Sequence, residues 1–266
     1  MIVNFERDVN AFALEQKMLI SIMSEATDDQ WQLDSGGCPG WTVKDIFIHL
    51  GLTIASFVDR GALADVRSLP VERANDVLVQ GRAQWTREMV VEDYETNGEK
   101  IIQRMLAMGF QANPLVSMRD IGTYTLAQVV KAYVWDHYTH INCDVAAPDG
   151  PVGCTRLPAE EHLLAPAVDW IFAALPQQHT NVPSLVGALQ FDLTGPGGRE
   201  VFVLVRAGRF VVDDDAPDTI AASVRCSTEN LMRWATQRAC WQDLAEVEVS
   251  GDRESAAAAL GAIRVS

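Results

Sequence analysis

The feature that most constrains this chain is a single change of hydrophobic period. Up to about Leu175 the apolar residues recur every three or four positions, and from Ser184 they alternate. Helices bring i+3 and i+4 neighbours to one face, whereas strands bring i+2 neighbours. A chain that switches in this way has a helical first part and a second part in which strands appear. Ala147-Pro148-Asp149-Gly150-Pro151 interrupts the helical part, so domains are expected over residues 1–150 and 158–266.

In the first part, Phe5, Val9, Phe12, Leu19 and Ile22 define an amphipathic helix from Asn4 to about Glu25. Thr27-Asp28-Asp29-Gln30-Trp31 reads as a capped turn or short helix. Gly36-Gly37-Cys38-Pro39-Gly40-Trp41 then turns the chain into a second helix, capped by Thr42 with Asp45 three residues later and running past His49 to about Arg60. A connection reaches Leu69-Pro70. A third helical region, in one or two pieces, spans Ala74 to Met108, with Met89, Tyr94, Ile101, Ile102, Met105 and Leu106 on its apolar face and Gly109 as its stop. Thr125 and Gln128 form the capping box of a fourth helix that reaches about Val145. Four such helices with few strand signals predict a bundle.

The second part opens with a helix over Ala159 to Leu175. Strands follow over Leu185 to Leu193, Val201 to Val205, Phe210 to Val212 and Ile220 to Cys226, with turns at Gly195-Pro196-Gly197-Gly198 and Ala207-Gly208-Arg209. Ser227 or Thr228 caps a helix through Arg238, Leu244 to Val249 is a last strand, and an Ala-rich helix closes the chain. This order predicts a small α+β domain.

A net charge of −15 argues against nucleic acid, because a phosphate backbone is bound by clustered Lys and Arg. It also disfavours anionic membranes. Cys38, Cys143, Cys154, Cys226 and Cys240 are scattered, with no Cys-x-x-Cys pair, which reads as reduced thiols. No secretory leader or membrane-spanning run is seen, so a cytoplasmic protein with small-molecule partners is expected, a monomer or small homo-oligomer.

Asp136 and His140 are spaced i, i+4, on one face of the fourth helix. Two such ligands grip one ion from one helix, and His49 supplies a third from another. Two imidazoles and a carboxylate suit Zn²⁺ with an open fourth position, the catalytic form of a zinc site, although other divalent metals fit the same donors. The same spacing also serves ordinary hydrogen-bonded pairs, and spacing by itself does not separate the two. Asp144, four residues beyond His140, is placed to hydrogen-bond it. His137 points about 100° around the helix from Asp136 and reads as a solvent or interface residue. Cys38, near a helix start, reads as packing rather than as a nucleophile, and Trp41 as a core anchor.

The stretch Cys38-Pro39-Gly40-Trp41-Thr42-Val43-Lys44-Asp45, ending four residues on in His49-Leu50, resembles the start of the second helix in the mycothiol-dependent maleylpyruvate isomerase family. Asp136 and His140 match that family's second signature, an acidic residue and a histidine one turn apart. Gln190-Phe191-Asp192-Leu193-Thr194-Gly195-Pro196-Gly197-Gly198 and Val249-Ser250-Gly251-Asp252 resemble its C-terminal domain. The resemblance implies a DinB-like metal-binding four-helix bundle followed by a sterol-carrier-like α+β domain, with His49, Asp136 and His140 on a metal. It implies a zinc-dependent enzyme that uses mycothiol, as cofactor or cosubstrate, to add to a small electrophile and isomerise maleylpyruvate to fumarylpyruvate. An S-transferase on another electrophile, or a non-catalytic metal-containing binding module, are the alternatives. An arginine of the second domain is implied as the substrate's cation; Arg238 matches best, with Arg206, Arg209, Arg225 and Arg233 competing. The chain departs from the family in carrying Asp136 where the best-known isomerases have Glu, and Cys143 where many relatives have Asp.

Overall fold

The computed structural model describes residues 2–112, 114–148 and 150–266; Asp149, in the expected interdomain turn, lies outside them. The contacts divide into two compact units, Met1–Asp120 with Thr125–Pro158, and Ile121–Tyr124 with Ala159–Ser266.

The first unit contains α1 (Ile2–Glu25), a single-turn α2 (Asp28–Trp31), α3 (Val43–Val58), α4 (Val71–Gln80) and α5 (Arg87–Ala112). A short strand β1 (Leu115–Ser117) follows, and after β2 (Thr123–Thr125), whose first two residues belong to the second unit, the chain enters α6 (Leu126–Thr139). Helices α1, α3, α5 and α6 pack together. The face expected on α1 is the buried one, with Val9, Phe12 and Leu19 fully enclosed. Phe12 stacks on Tyr133 of α6 at 5.2 Å and meets His137 edge-on at 5.0 Å. The expected capping box forms at Thr125–Gln128, and the caps at Thr27 and Thr42 are capping boxes too, with Gln30 and Asp45. Each cap satisfies backbone N–H groups that the first turn leaves without partners, stabilising its helix by about 1 kcal/mol.

Several local expectations change. Helix α5 runs through Gly109 to Ala112 rather than stopping at the glycine, and Met89 and Leu106 lie on its exposed side. His137 is wholly buried, not at the surface. It is covered by α1 and held by two bonds: its Nδ1–H donates to Tyr133 O at 3.0 Å, and Nε2 accepts from the Tyr94 hydroxyl at 2.8 Å. The fourth bundle helix does not stay α-helical to Val145. From His140 to Val145 it widens to a π-helix, marked by the Ala146 N–H bonding back five residues to Ile141 O at 2.8 Å.

The second unit opens with α7 (Glu161–Gln178) and continues with β3 (Ala188–Thr194), β4 (Glu200–Arg206), β5 (Arg209–Asp213), β6 (Ile220–Ser227), α8 (Thr228–Ala235), β7 (Glu248–Gly251) and α9 (Arg253–Ala262). The strands order as β5-β4-β3-β6-β7, with β3 and β6 parallel and the other pairs antiparallel. Alternation on β3 buries Leu189, Phe191 and Leu193. Phe191 meets Phe172 of α7 at 5.6 Å and Trp234 of α8 at 6.1 Å, so both helices cover the same face of the sheet. Gly197 turns the β3–β4 hairpin at φ +75° and backs onto α7; a Cβ there would come within 2.7 Å of the Ala165 nitrogen. The last strand falls at Glu248–Gly251, later than the expected Leu244 to Val249. Helix α8 ends at Ala235, because Gln237 takes a left-handed conformation at φ +62° and stops it before Arg238. No helix among the described residues is long and apolar enough to cross a membrane.

His179 follows α7 and clasps the C-terminal tail. Its Nδ1–H donates to Leu175 O at 3.1 Å, and Nε2 accepts the Arg264 N–H at 2.9 Å. Burial lowers its pKa from the ordinary 6.5. The unfolded chain therefore takes up the proton first as pH falls, and the stability present above 6.5 is lost on acidification toward the lowered folded value. The thermal midpoint should fall more steeply between about pH 7 and pH 5 in the wild type than in His179→Gln, whose amide does not titrate. Parallel slopes for the two proteins would contradict this.

Candidate metal centre

The site is assembled by α3, α6 and the turn before α3. The turn is fixed by its own backbone: Ser35 N–H donates to Trp41 O at 2.9 Å and Trp41 N–H to Cys38 O at 3.0 Å. Gly36 and Gly40 supply the left-handed residues it needs, at φ +57° and +86°. The Thr42–Asp45 capping box then starts α3, with the Asp45 N–H on Thr42 Oγ1 at 3.2 Å and the Thr42 N–H on Asp45 Oδ2 at 2.9 Å. Two turns later α3 delivers His49, 6% exposed, toward α6.

His49 Nε2 lies 3.6 Å from Asp136 Oδ1, and His140 Nε2 lies 3.5 Å from the same oxygen. The two imidazoles meet edge to face, with ring centroids 5.1 Å apart. One ligand atom from each of His49, Asp136 and His140 lies within 4.8 Å of the other two. The far nitrogen of His140 is held: Nδ1–H donates to Asp144 Oδ2 at 2.6 Å, across the π-helical turn. In the neutral imidazole that a metal would bind, that bond fixes the tautomer and leaves the Nε2 lone pair facing His49 and Asp136. The Trp41 ring lies 5.2 Å from His49, and its Nε1–H donates to Asp76 of α4 at 3.3 Å, so Trp41, half-buried rather than enclosed in the core as expected, is a wall of the site. His49 Nδ1 is buried without a hydrogen-bond partner among the described residues.

The electrostatics follow from this packing. Burial raises the Asp136 pKa, but His49, and then the hydrogen bonds from His140 and His49, outweigh it and hold the carboxyl well below its usual range. Burial lowers that of His140, yet its bonds to Asp136, Asp144 and Cys38 leave it well above 6.5. Deeper in the bundle Glu15 is fully buried, with no hydrogen-bond partner on either oxygen among the described residues, and burial followed by the charge of Asp136 drives its pKa well up. Burial brings His137 down to about 4.

The structure thus brings together His49, Asp136, His140 and Asp144, and adds a residue that spacing did not indicate. Cys38 Sγ is 3.5 Å from Asp144 Oδ2 and 4.0 Å from His140 Nδ1. No periodicity connects positions 106 residues apart; the nearest clue was the position of Cys38 in the turn that feeds the histidine helix. Arg238 belongs to the other unit. It lies in the turn after α8, half-buried, and its guanidinium donates to Thr236 O at 3.0 Å.

Residues 12–114 match the family model described as the mycothiol maleylpyruvate isomerase N-terminal domain. This region includes His49 and stops short of Asp136 and His140. No curated protein matches the sequence closely enough to count as a relative. Two crystal structures share the fold over 92% of this chain and 92% of their own, each with a TM-score of 0.58. One is of the mycothiol-dependent maleylpyruvate isomerase, 13% identical; the other is of a histidine-to-alanine mutant of it, 12% identical. The resemblance read from the sequence is thus matched by the family model over residues 12–114, and the chain shares its fold with the two isomerase structures over 92% of its length.

Proposed function

We propose that this chain, built on the N-terminal domain and fold of the mycothiol maleylpyruvate isomerases, is a metal-dependent cytoplasmic enzyme that activates mycothiol for addition to a small electrophile, with isomerisation of maleylpyruvate to fumarylpyruvate as its first candidate reaction. The observation that carries this reading is the convergence of His49, Asp136 and His140. Donors at a tetrahedral zinc, each about 2.1 Å from the ion, are separated by about 3.4 Å; the two imidazole-to-carboxylate spacings here are 3.6 and 3.5 Å. The donor types and the Asp144 bond behind His140 also fit. A divalent ion at this site would supply Lewis acidity, bringing a coordinated thiol to the thiolate at neutral pH.

The chain's own residues set the conditions for that chemistry. Asp136 is the only anion among the three donors and does not neutralise a divalent charge, so an anionic fourth ligand is favoured. Asp144 keeps His140 in the donor tautomer. His49 and His140 are 6% and 8% exposed, so water screens the site poorly and its charges interact more strongly than at the surface. A dicarboxylate substrate needs a local cation in a chain of net charge −15, and Arg238 is the candidate. None of the five cysteines is in a disulfide, in keeping with a reducing compartment.

Purified protein supplied with maleylpyruvate should form fumarylpyruvate only when mycothiol is present, and a chelator should stop turnover until zinc is restored. Thiol consumed in proportion to product would indicate an S-transferase instead. Turnover without thiol would contradict the reading. Arg238→Ala should lower kcat/KM for the diacid about 10- to 100-fold, the value of one charged hydrogen bond, with partial recovery in Arg238→Lys. Unchanged kcat/KM would move the role to another arginine.

A further inference from the structure

Cys38 and Trp41 reach the two histidines from a single turn. Trp41 lies against His49, and Cys38 lies against the far side of His140, where Asp144 is. The position of Cys38 is imposed by the backbone: its carbonyl accepts from Trp41 N–H at 3.0 Å and from the Ser35 hydroxyl at 3.3 Å. Asp144 Oδ2 thus receives two donors, the His140 Nδ1–H and the Cys38 S–H. A carboxylate oxygen has a lone pair for each. With both occupied, the carboxylate cannot turn without losing one bond, and its side chain is fully buried, so no water replaces the loss.

We propose that Cys38 is a positioning residue of the metal centre: its thiol holds the Asp144 carboxylate in the orientation that aims His140 Nε2 at His49 and Asp136. The inference rests on the metal reading of those three residues. It assigns the thiol a role in donor geometry, distinct from attack on substrate and from space-filling. Serine keeps a donor at this position, whereas valine keeps the bulk and removes the donor.

The test compares cobalt-loaded wild type, Cys38→Ser, Cys38→Val and Cys38→Ala, reading cobalt affinity by chelator competition and ligand geometry by visible absorption. Circular dichroism melts run alongside to register changes in folding. The valine and alanine variants should bind cobalt about 3- to 30-fold more weakly, with a shifted absorption band, while serine stays within about twofold of wild type. If valine binds like wild type and serine does not, the thiol only fills space and the inference is overturned. Four indistinguishable proteins would overturn it as well. A wild type that takes up no cobalt would remove the metal reading itself, and this inference with it.

Discussion

Replacing His140 by alanine should cut thiol-dependent turnover and metal affinity by more than about a hundredfold each, since loss of a supporting residue behind a ligand already costs 10- to 100-fold. His140 is the hub of the cluster. It faces Asp136 at 3.5 Å and Asp144 at 2.6 Å, and its ring meets that of His49. Its removal leaves two carboxylates around an empty volume, one of them on a fully buried side chain. Removing the imidazole donor from that buried carboxylate costs about 1–3 kcal/mol, so some bundle stability is lost too. The bundle should still fold, because its packing rests on Phe12, Leu19, Ile46, Tyr94 and similar residues that the substitution does not touch. Turnover near the wild-type value in a folded His140→Ala protein would contradict the assignment.

Trp170→Ala should destabilise the second unit by about 3–5 kcal/mol, a large share of the 5–15 kcal/mol typical of a whole domain. Trp170 is fully buried on α7, its ring 4.6 Å from that of Tyr124. Tyr124 is also fully buried, and its hydroxyl donates to Ile121 O at 2.6 Å. Truncation therefore opens a cavity between α7 and the short segment that Tyr124 anchors. That segment cannot collapse into it without breaking the hydroxyl bond. The urea midpoint, followed by near-ultraviolet circular dichroism, reads the loss; a change below about 1 kcal/mol would mean that the site closes over the cavity.

What was legible in the sequence was what depends on neighbours along the chain. The buried face of α1, the three helix caps and the change to strand alternation are local signals, and each corresponds to a structural element. The Asp136–His140 spacing was equally local. What the sequence did not reveal depends on residues far apart. The parallel pairing of β3 with β6 follows from sheet topology rather than from either strand's pattern. The burial of His137 depends on α1 lying across α6 and on Tyr94 reaching from α5. The widening to a π-helix at His140 leaves no mark in residue type, although it sets the turn across which Asp144 meets His140. Arg238 falls past the end of α8 because Gln237 adopts a left-handed conformation, which a glycine would have advertised and a glutamine does not.

The most direct test of the central claim, that His49, Asp136 and His140 hold a metal ion, is metal content per chain by mass spectrometry on the wild type and on His49→Ala, both folded by circular dichroism. The account predicts about one divalent ion per wild-type chain and none in the variant. Metal-free wild type, or equal metal in both proteins, would contradict it.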